Sequence, residues 1–310
     1  MPANHVEESS NRSYFALWAL ITLYAAATIL PLFPGAMPFP IVVASEIIPA
    51  AVFALIHGAK LYRLRGILVF AALCLVIGNV VENIGVLTGF PFGRYYFTER
   101  MGPKLFLVPV LIGPAYLGMG YLSWVVARLI LGKTEDLFAG ARVVTVPIIA
   151  TFIMVAWDLA IDPTLSTIGH YWIWLRGGAY FGVPLSNFLG WYLTNYLIYQ
   201  SFALYLRSRP TIETCVAPVY WRLAVLFYTV VAIGNVLRII PVSGPTTVID
   251  ATGVHWKVPD INAVCALAAL LVMGAFASLG WAKVLQIGAR GSSPRARTPQ
   301  CRSLKWTQWM

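Results

Sequence analysis

Asp158 and Asp162 stand four residues apart in the stretch WDLAIDP, residues 157–163, at the end of a run that is otherwise apolar. Positions four apart are neighbours on a helix surface, so the two carboxyls share a face if the helix continues that far. Two close carboxylates in a low-dielectric setting cannot both ionise readily. One of them is expected to keep its proton beside a partner that has lost its own, which offers a proton donor with a base to hand. A second acidic position, Glu82, lies late in another apolar run, with Asn79 and Asn83 on the same helical face.

These groups must be carried by membrane helices. The chain has 310 residues, of which 59% are hydrophobic and 11% charged, with a mean hydropathy of +0.75. A soluble domain carries roughly 25% charged residues, so this chain has too little polar surface to cover a water-soluble globule. It reads as an all-α, polytopic membrane bundle of about eight transmembrane helices. The apolar runs fall at about 15–33, 39–58, 66–87, 105–131, 142–161, 182–206, 219–240 and 261–285. The expected organisation is a polar N-terminus over 1–14, a helical membrane domain over 15–287 and a basic tail over 288–310. No cleavable signal peptide is expected, because the first apolar run is long enough to span. Cys74, Cys215, Cys265 and Cys301 have no metal-like or paired spacing, and Cys74 and Cys265 read as small apolar side chains within helices.

The net charge is +10. The basic residues fall in loops and the tail, so topology and anionic lipid explain them better than nucleic acid does. With eight spans both termini share a side, and most of the 22 Lys and Arg lie on it. The positive-inside rule then puts both termini in the cytoplasm, in a multi-pass protein of the inner (plasma) membrane.

In this topology the polar residues of the spans gather in the non-cytoplasmic half. They are Glu46, Asn79, Glu82, Asn83, Asp158, Asp162, Asn187, Asn235, Arg238, Asp260 and Asn262. The other half carries almost no ionisable group. An ionised carboxylate facing lipid is costly, so these residues imply a polar pocket lined by several helices. Simpler roles compete. Asp260 follows Pro259 at the start of a run, where helix capping is the commoner role. Asp162 precedes Pro163, where a turn is equally open. The asparagines could serve interhelical hydrogen bonds, and Arg238 could neutralise one acid.

Two longer stretches are more specific. Residues 81–98 carry Glu82-x-x-Gly85 and Thr88-Gly89-x-Pro91-Phe92-Gly93-x-Tyr95. Residues 157–196 carry Asp158-x-x-x-Asp162-Pro163, Trp172, Trp174, Tyr180-x-Gly182-x-Pro184, Asn187-Phe188 and Gly190-Trp191. Together they resemble the membrane-bound CruF-type carotenoid 1,2-hydratase family, part of a larger set of carotenoid biosynthesis proteins. The resemblance implies that water adds across the terminal C1=C2 bond of an acyclic, ψ-type carotenoid end to give a tertiary 1-hydroxy group. Lycopene-like, γ-carotene-like and C50 bacterioruberin-precursor ends are the substrates it implies, with no redox cofactor and no metal. A lipophilic carotenoid, membrane lipid and other enzymes of the carotenoid pathway are the expected partners.

That chemistry suits the residues. Protonation at C2 leaves a tertiary cation at C1, which water captures. An alkene is a very weak base, so the step needs a positioned acid shielded from bulk water. Asp158 ranks first as that acid and Glu82 second, with Asp162 tuning Asp158 or holding the water. Asn83 and Asn187 are candidates to position water. Trp157, Trp172, Trp174, Tyr180, Phe181 and Trp191 are candidates to face the cation with an aromatic ring, and Tyr95, in the matched motif, is a candidate to position substrate or water. Trp and Tyr here also fit an interfacial aromatic belt, and His170 reads as interfacial rather than catalytic. Gly89, Gly93, Gly177, Gly178 and Gly182 suit turns or close packing. A cyclase or isomerase would use the same acids at the same end group, and a transporter would use them as an ion relay.

Overall fold

A computed structural model describes residues 2–33, 37, 39–132, 140–209, 216–241 and 244–291. Its helices are α1 (Pro2–Ala27), α2 (Phe39–Thr88), α3 (Ile112–Ile130), α4 (Arg142–Pro163), α5 (Leu185–Arg207), α6 (Pro218–Leu237), α7 (Val258–Leu267) and α8 (Gly274–Gly291). A π-helical segment, Thr164–Ile168, continues α4, and another, Ala268–Met273, joins α7 to α8. Three short antiparallel pairs cap one end of the bundle: β1 (Tyr95–Phe97) with β4 (Trp172–Trp174), β2 (Lys104–Leu105) with β3 (Val108–Pro109), and β5 (Thr247–Ile249) with β6 (His255–Lys257).

Among the described residues, five helical stretches are long and apolar enough to cross a membrane. One of them, Ile41–Thr88, is 48 residues long. At 1.5 Å per residue it is about 70 Å long, more than twice a hydrocarbon core of about 30 Å. Its parent helix, α2, breaks at Arg63 (φ 58°, ψ 171°), where the basic cluster Arg63-Leu64-Arg65 divides two apolar runs. The two arms of α2, the α7–α8 rod and the five other helices thus correspond to the eight apolar runs. Their outer faces expose large apolar side chains such as Leu68, Val76, Leu87, Leu189 and Leu271, a surface suited to lipid tails.

The apolar run over 105–131 becomes helical only from Ile112. Residues 104–109 form the β2–β3 hairpin rather than the start of a helix over 105–131. Phe106 turns at φ 58°, and the Asn83 side-chain oxygen accepts from the Leu107 amide at 3.0 Å. An apolar run alone cannot separate strand from helix; that bond from α2 and the left-handed residue decide it.

The main core is aromatic and runs the length of the bundle, with Phe53, Phe70, Tyr121, Trp124, Tyr199, Phe202 and Phe227 all fully buried. Helices α2 and α3 approach closely: a Cβ on Gly118 would come within 2.8 Å of Ala50. A smaller core of Phe92, Tyr95, Phe97, Val108, Tyr171, Trp174 and Phe188 sits beneath the strand caps.

The end of the bundle far from those caps is not free of ionisable groups. His57 and Arg128 are buried there. His57 Nε2 lies 2.9 Å from the Tyr220 carbonyl, so it carries the hydrogen, and Nδ1 accepts from the Tyr121 hydroxyl at 2.7 Å. Both residues sit within or beside apolar runs, where hydropathy masks them. The basic tail from 292 onward, Cys215 and Cys301 lie outside the described residues, while Cys74 and Cys265 are buried free thiols.

Candidate active site

Helix α4 runs to Pro163 without a turn at Asp162. Asp158 and Asp162 therefore do share a face, and both are 1% exposed. Asn187, from the first turn of α5, lies between them. Its side-chain nitrogen donates to Asp162 Oδ2 at 2.6 Å and to Asp158 Oδ2 at 2.9 Å. The other oxygen of Asp162 accepts from the indoles of Trp172 (3.1 Å) and Trp174 (3.3 Å) on β4. Those two tryptophans face inward instead of joining an interfacial belt. Asp162 thus receives three N–H donors, and the two indoles among them cannot accept a proton in return.

Glu82, near the end of α2, is 4% exposed. Its Oε1 accepts from the Tyr116 hydroxyl at 2.9 Å, and its Oε2 accepts from the Tyr95 hydroxyl on β1. Tyr116 comes from α3 and stacks on Trp191 of α5 at 4.9 Å between ring centroids. Trp157 meets the same Trp191 edge-on at 6.0 Å.

Glu82 and Asp162 face one small cavity, together with Tyr95, Trp172, Trp174 and Asn187. Phe92, Phe97, Ile112 and Trp191 complete its wall. About 30 Å³ is open to the centre of a water-sized sphere. One water needs about 10–15 Å³ by this measure, so a water or two fit. Asp158 does not line the cavity, while Asn187, which bonds it, does.

Other candidates are held elsewhere. The Asn83 amide donates to Asn79 and its oxygen anchors the β2–β3 hairpin. The Tyr180 hydroxyl donates to the Leu159 carbonyl at 2.9 Å and ties the 175–184 loop to α4. Phe181 packs on Trp256. Arg238 does neutralise an acid: it pairs with Glu46 at 3.5 Å, a separate feature from the carboxylate cluster. Asn235 bonds within its own helix. Asp260 is an exposed first-turn acid of α7 that makes no side-chain cap bond. The single polar pocket expected from the sequence is thus a tight cluster of Glu82, Asp158, Asp162 and Asn187 with separate polar features around it. Tyr116 lies outside the motifs that point to the site, and nothing in its local sequence marks it.

Local chain geometry keeps the loops close. A Cβ on Gly178 would meet the Val183 carbonyl oxygen at 2.1 Å, so only glycine lets the 177–184 loop fold back on itself.

The family model described as "Carotenoid biosynthesis protein" matches residues 41–256. The chain is also similar to the bisanhydrobacterioruberin hydratase of Haloarcula japonica, 29% identical over 190 residues. That match covers 58% of this chain and 61% of the relative, so it spans less than two thirds of the relative's length. No solved structure matches.

Proposed function

We propose that this chain, which belongs to the carotenoid biosynthesis protein family, is a hydratase that adds water across the terminal C1=C2 bond of a ψ-type carotenoid end. The observation that carries the reading is the pairing of Glu82 and Asp162, from two helices, on one aromatic-walled cavity. The similarity to a carotenoid hydratase supports the reaction class.

The donors around each acid divide the roles. Three N–H donors favour Asp162 as the ionised member, because a protonated carboxyl is a poorer acceptor. Glu82 is held by two hydroxyls, which can reverse direction and accept from a protonated carboxyl. Glu82 is therefore the proton donor. Asp158, the first choice from the sequence, is outside the cavity lining but bonded to Asn187, and acts as a positioning residue.

The terminal π pair takes the Glu82 proton at C2, forming the C2–H bond and leaving a tertiary cation at C1. The Asp162 carboxylate and the ring faces around the cavity stabilise that charge. A water held by Asp162 attacks C1 through oxygen and gives up one proton to Asp162. Transfer of that proton back to Glu82 across the cavity restores the starting state. The end group is larger than this small cavity, so the aromatic wall moves to admit it. A fixed set of protein dipoles replaces bulk water at the cation, which limits side reactions.

The lysine and arginine distribution supports a plasma-membrane protein with both termini cytoplasmic. Pigment from a lycopene-producing bacterial host that expresses the chain tests the reaction. Carotenoid heavier by one water per reacted end, with the polyene absorption unchanged, is expected. Unchanged mass with a blue-shifted spectrum would mean cyclisation and overturn the reading.

A further inference from the structure

A wider cavity, about 170 Å³ by the same measure, opens among the strand caps. Ser166, Thr167, His170 and Asp250 give it polar walls, and the exposed Ala251 forms part of its rim. Trp174 lines this cavity and also the small carboxylate cavity. Its indole N–H reaches Asp162 at 3.3 Å, the longer of the two indole bonds to that oxygen. Ser166, on the wide-cavity wall, donates its hydroxyl to the backbone carbonyl of the same Asp162 at 2.9 Å. The wide cavity is thus attached to Asp162 at two points, and one tryptophan side chain lies between the two spaces.

Each hydration consumes a water, and the small cavity stores only one or two. Phe92, Phe97, Ile112 and Trp191, which line much of the rest of the small cavity, offer water few hydrogen-bond partners. We infer that the wide cavity is the vestibule for the water substrate, and that water passes the Trp174 indole to reach Asp162. The carotenoid end and the water then arrive from different sides, lipid and loop. This inference rests on the hydratase reading for its purpose, but the route itself can be tested without turnover.

The test uses the full chain in membrane vesicles, with Cys215→Ser and Cys301→Ser removing the two remaining cysteines beyond buried Cys74 and Cys265. Phe97→Cys places a thiol on the small cavity. Its modification by aqueous aminoethyl methanethiosulfonate is followed by mass. Trp174→Ala is expected to speed the modification by about tenfold or more, and adding Ala251→Trp to fill the vestibule is expected to reverse that gain. A rate indifferent to both changes would overturn the route. A second measurement avoids altering Trp174. Ala251→Trp alone is expected to slow carotenoid hydration about tenfold, while Val254→Trp, on the same hairpin but outside the vestibule wall, leaves it unchanged. Full hydration in Ala251→Trp would overturn the route even if labelling had followed it. If the parent protein shows no hydration at all, the hydratase reading falls, and the labelling alone decides whether water passes Trp174.

Discussion

Tyr95 and Trp174 are register partners across the β1–β4 pair, with ring centroids 4.9 Å apart, and each holds a different carboxylate. The Tyr95 hydroxyl donates to Glu82 on α2, and the Trp174 indole donates to Asp162 on α4. A strand pair of three residues each therefore sets two acids from separate helices against one cavity. A register slip of one residue in either strand would turn that strand's side chain to the opposite face, so the pairing itself is part of the site.

Glu82→Gln keeps the shape of the side chain and removes the proton donor. Hydration is expected to fall by about 10²–10⁴-fold, the usual worth of a general acid. Yield of the variant in the membrane should match the parent. Measured turnover near the parent value would remove Glu82 from the acid role.

Asn187→Leu removes the amide shared by Asp158 and Asp162. Two buried carboxyls then lose a donor each, at a cost of about 1–3 kcal/mol of stability per unsatisfied group. A lower thermal midpoint in detergent, together with loss of hydration, is expected. Asp158→Asn should cost less activity than Asp162→Asn, because only Asp162 lines the cavity. The opposite order would restore Asp158 as the acid that meets the substrate.

Trp172→Phe and Trp174→Phe each delete one N–H bond to Asp162 while keeping an aromatic wall. A hydrogen bond to a charged group contributes about 1.5–3 kcal/mol. Each variant is expected to lose hydration by about ten- to a hundredfold if that bond also supports the transition state. The double variant should lose more than either alone, read from product per turnover at saturating carotenoid.

Much of this site was legible in the sequence, and the limits have physical causes. The Asp158–Asp162 spacing, Glu82 and Asn187 all entered one cluster, because intramembrane polar groups must find each other. Trp172 and Trp174 kept two readings open, since an interfacial belt and an inward wall have the same composition. Only the β1–β4 register points their N–H groups at Asp162. Tyr116 had no local signal, because it is brought in by the packing of α3 on α2. The β2–β3 hairpin reads as helix in the sequence because its residues are largely as apolar as the helix that follows. Asn83 seemed a water ligand but supplies an acceptor to that hairpin instead.

The β5–β6 hairpin that closes the vestibule depends on Asp250. Partial burial raises its carboxyl, but hydrogen bonds from Thr252, Trp256 and the Val254 amide outweigh this and hold it below the ordinary carboxylate range. A depressed folded value contributes stability above the unfolded value, and that stability is lost as pH falls through the folded one. The hairpin is expected to hold at neutral and mildly acidic pH and to loosen only under stronger acid. Protease cleavage near residues 250–254, followed against pH, should rise at the acidic end, and Asp250→Asn should abolish that pH dependence.

The most direct test of the central claim is turnover in membranes supplied with a ψ-ended carotenoid in isotope-labelled water. The expected product carries the labelled oxygen at the tertiary carbon, one per reacted end, and Glu82→Gln membranes yield almost none. An unlabelled hydroxyl, a cyclised end of unchanged mass, or undiminished product from Glu82→Gln would each contradict acid-initiated water addition at the Glu82–Asp162 cavity.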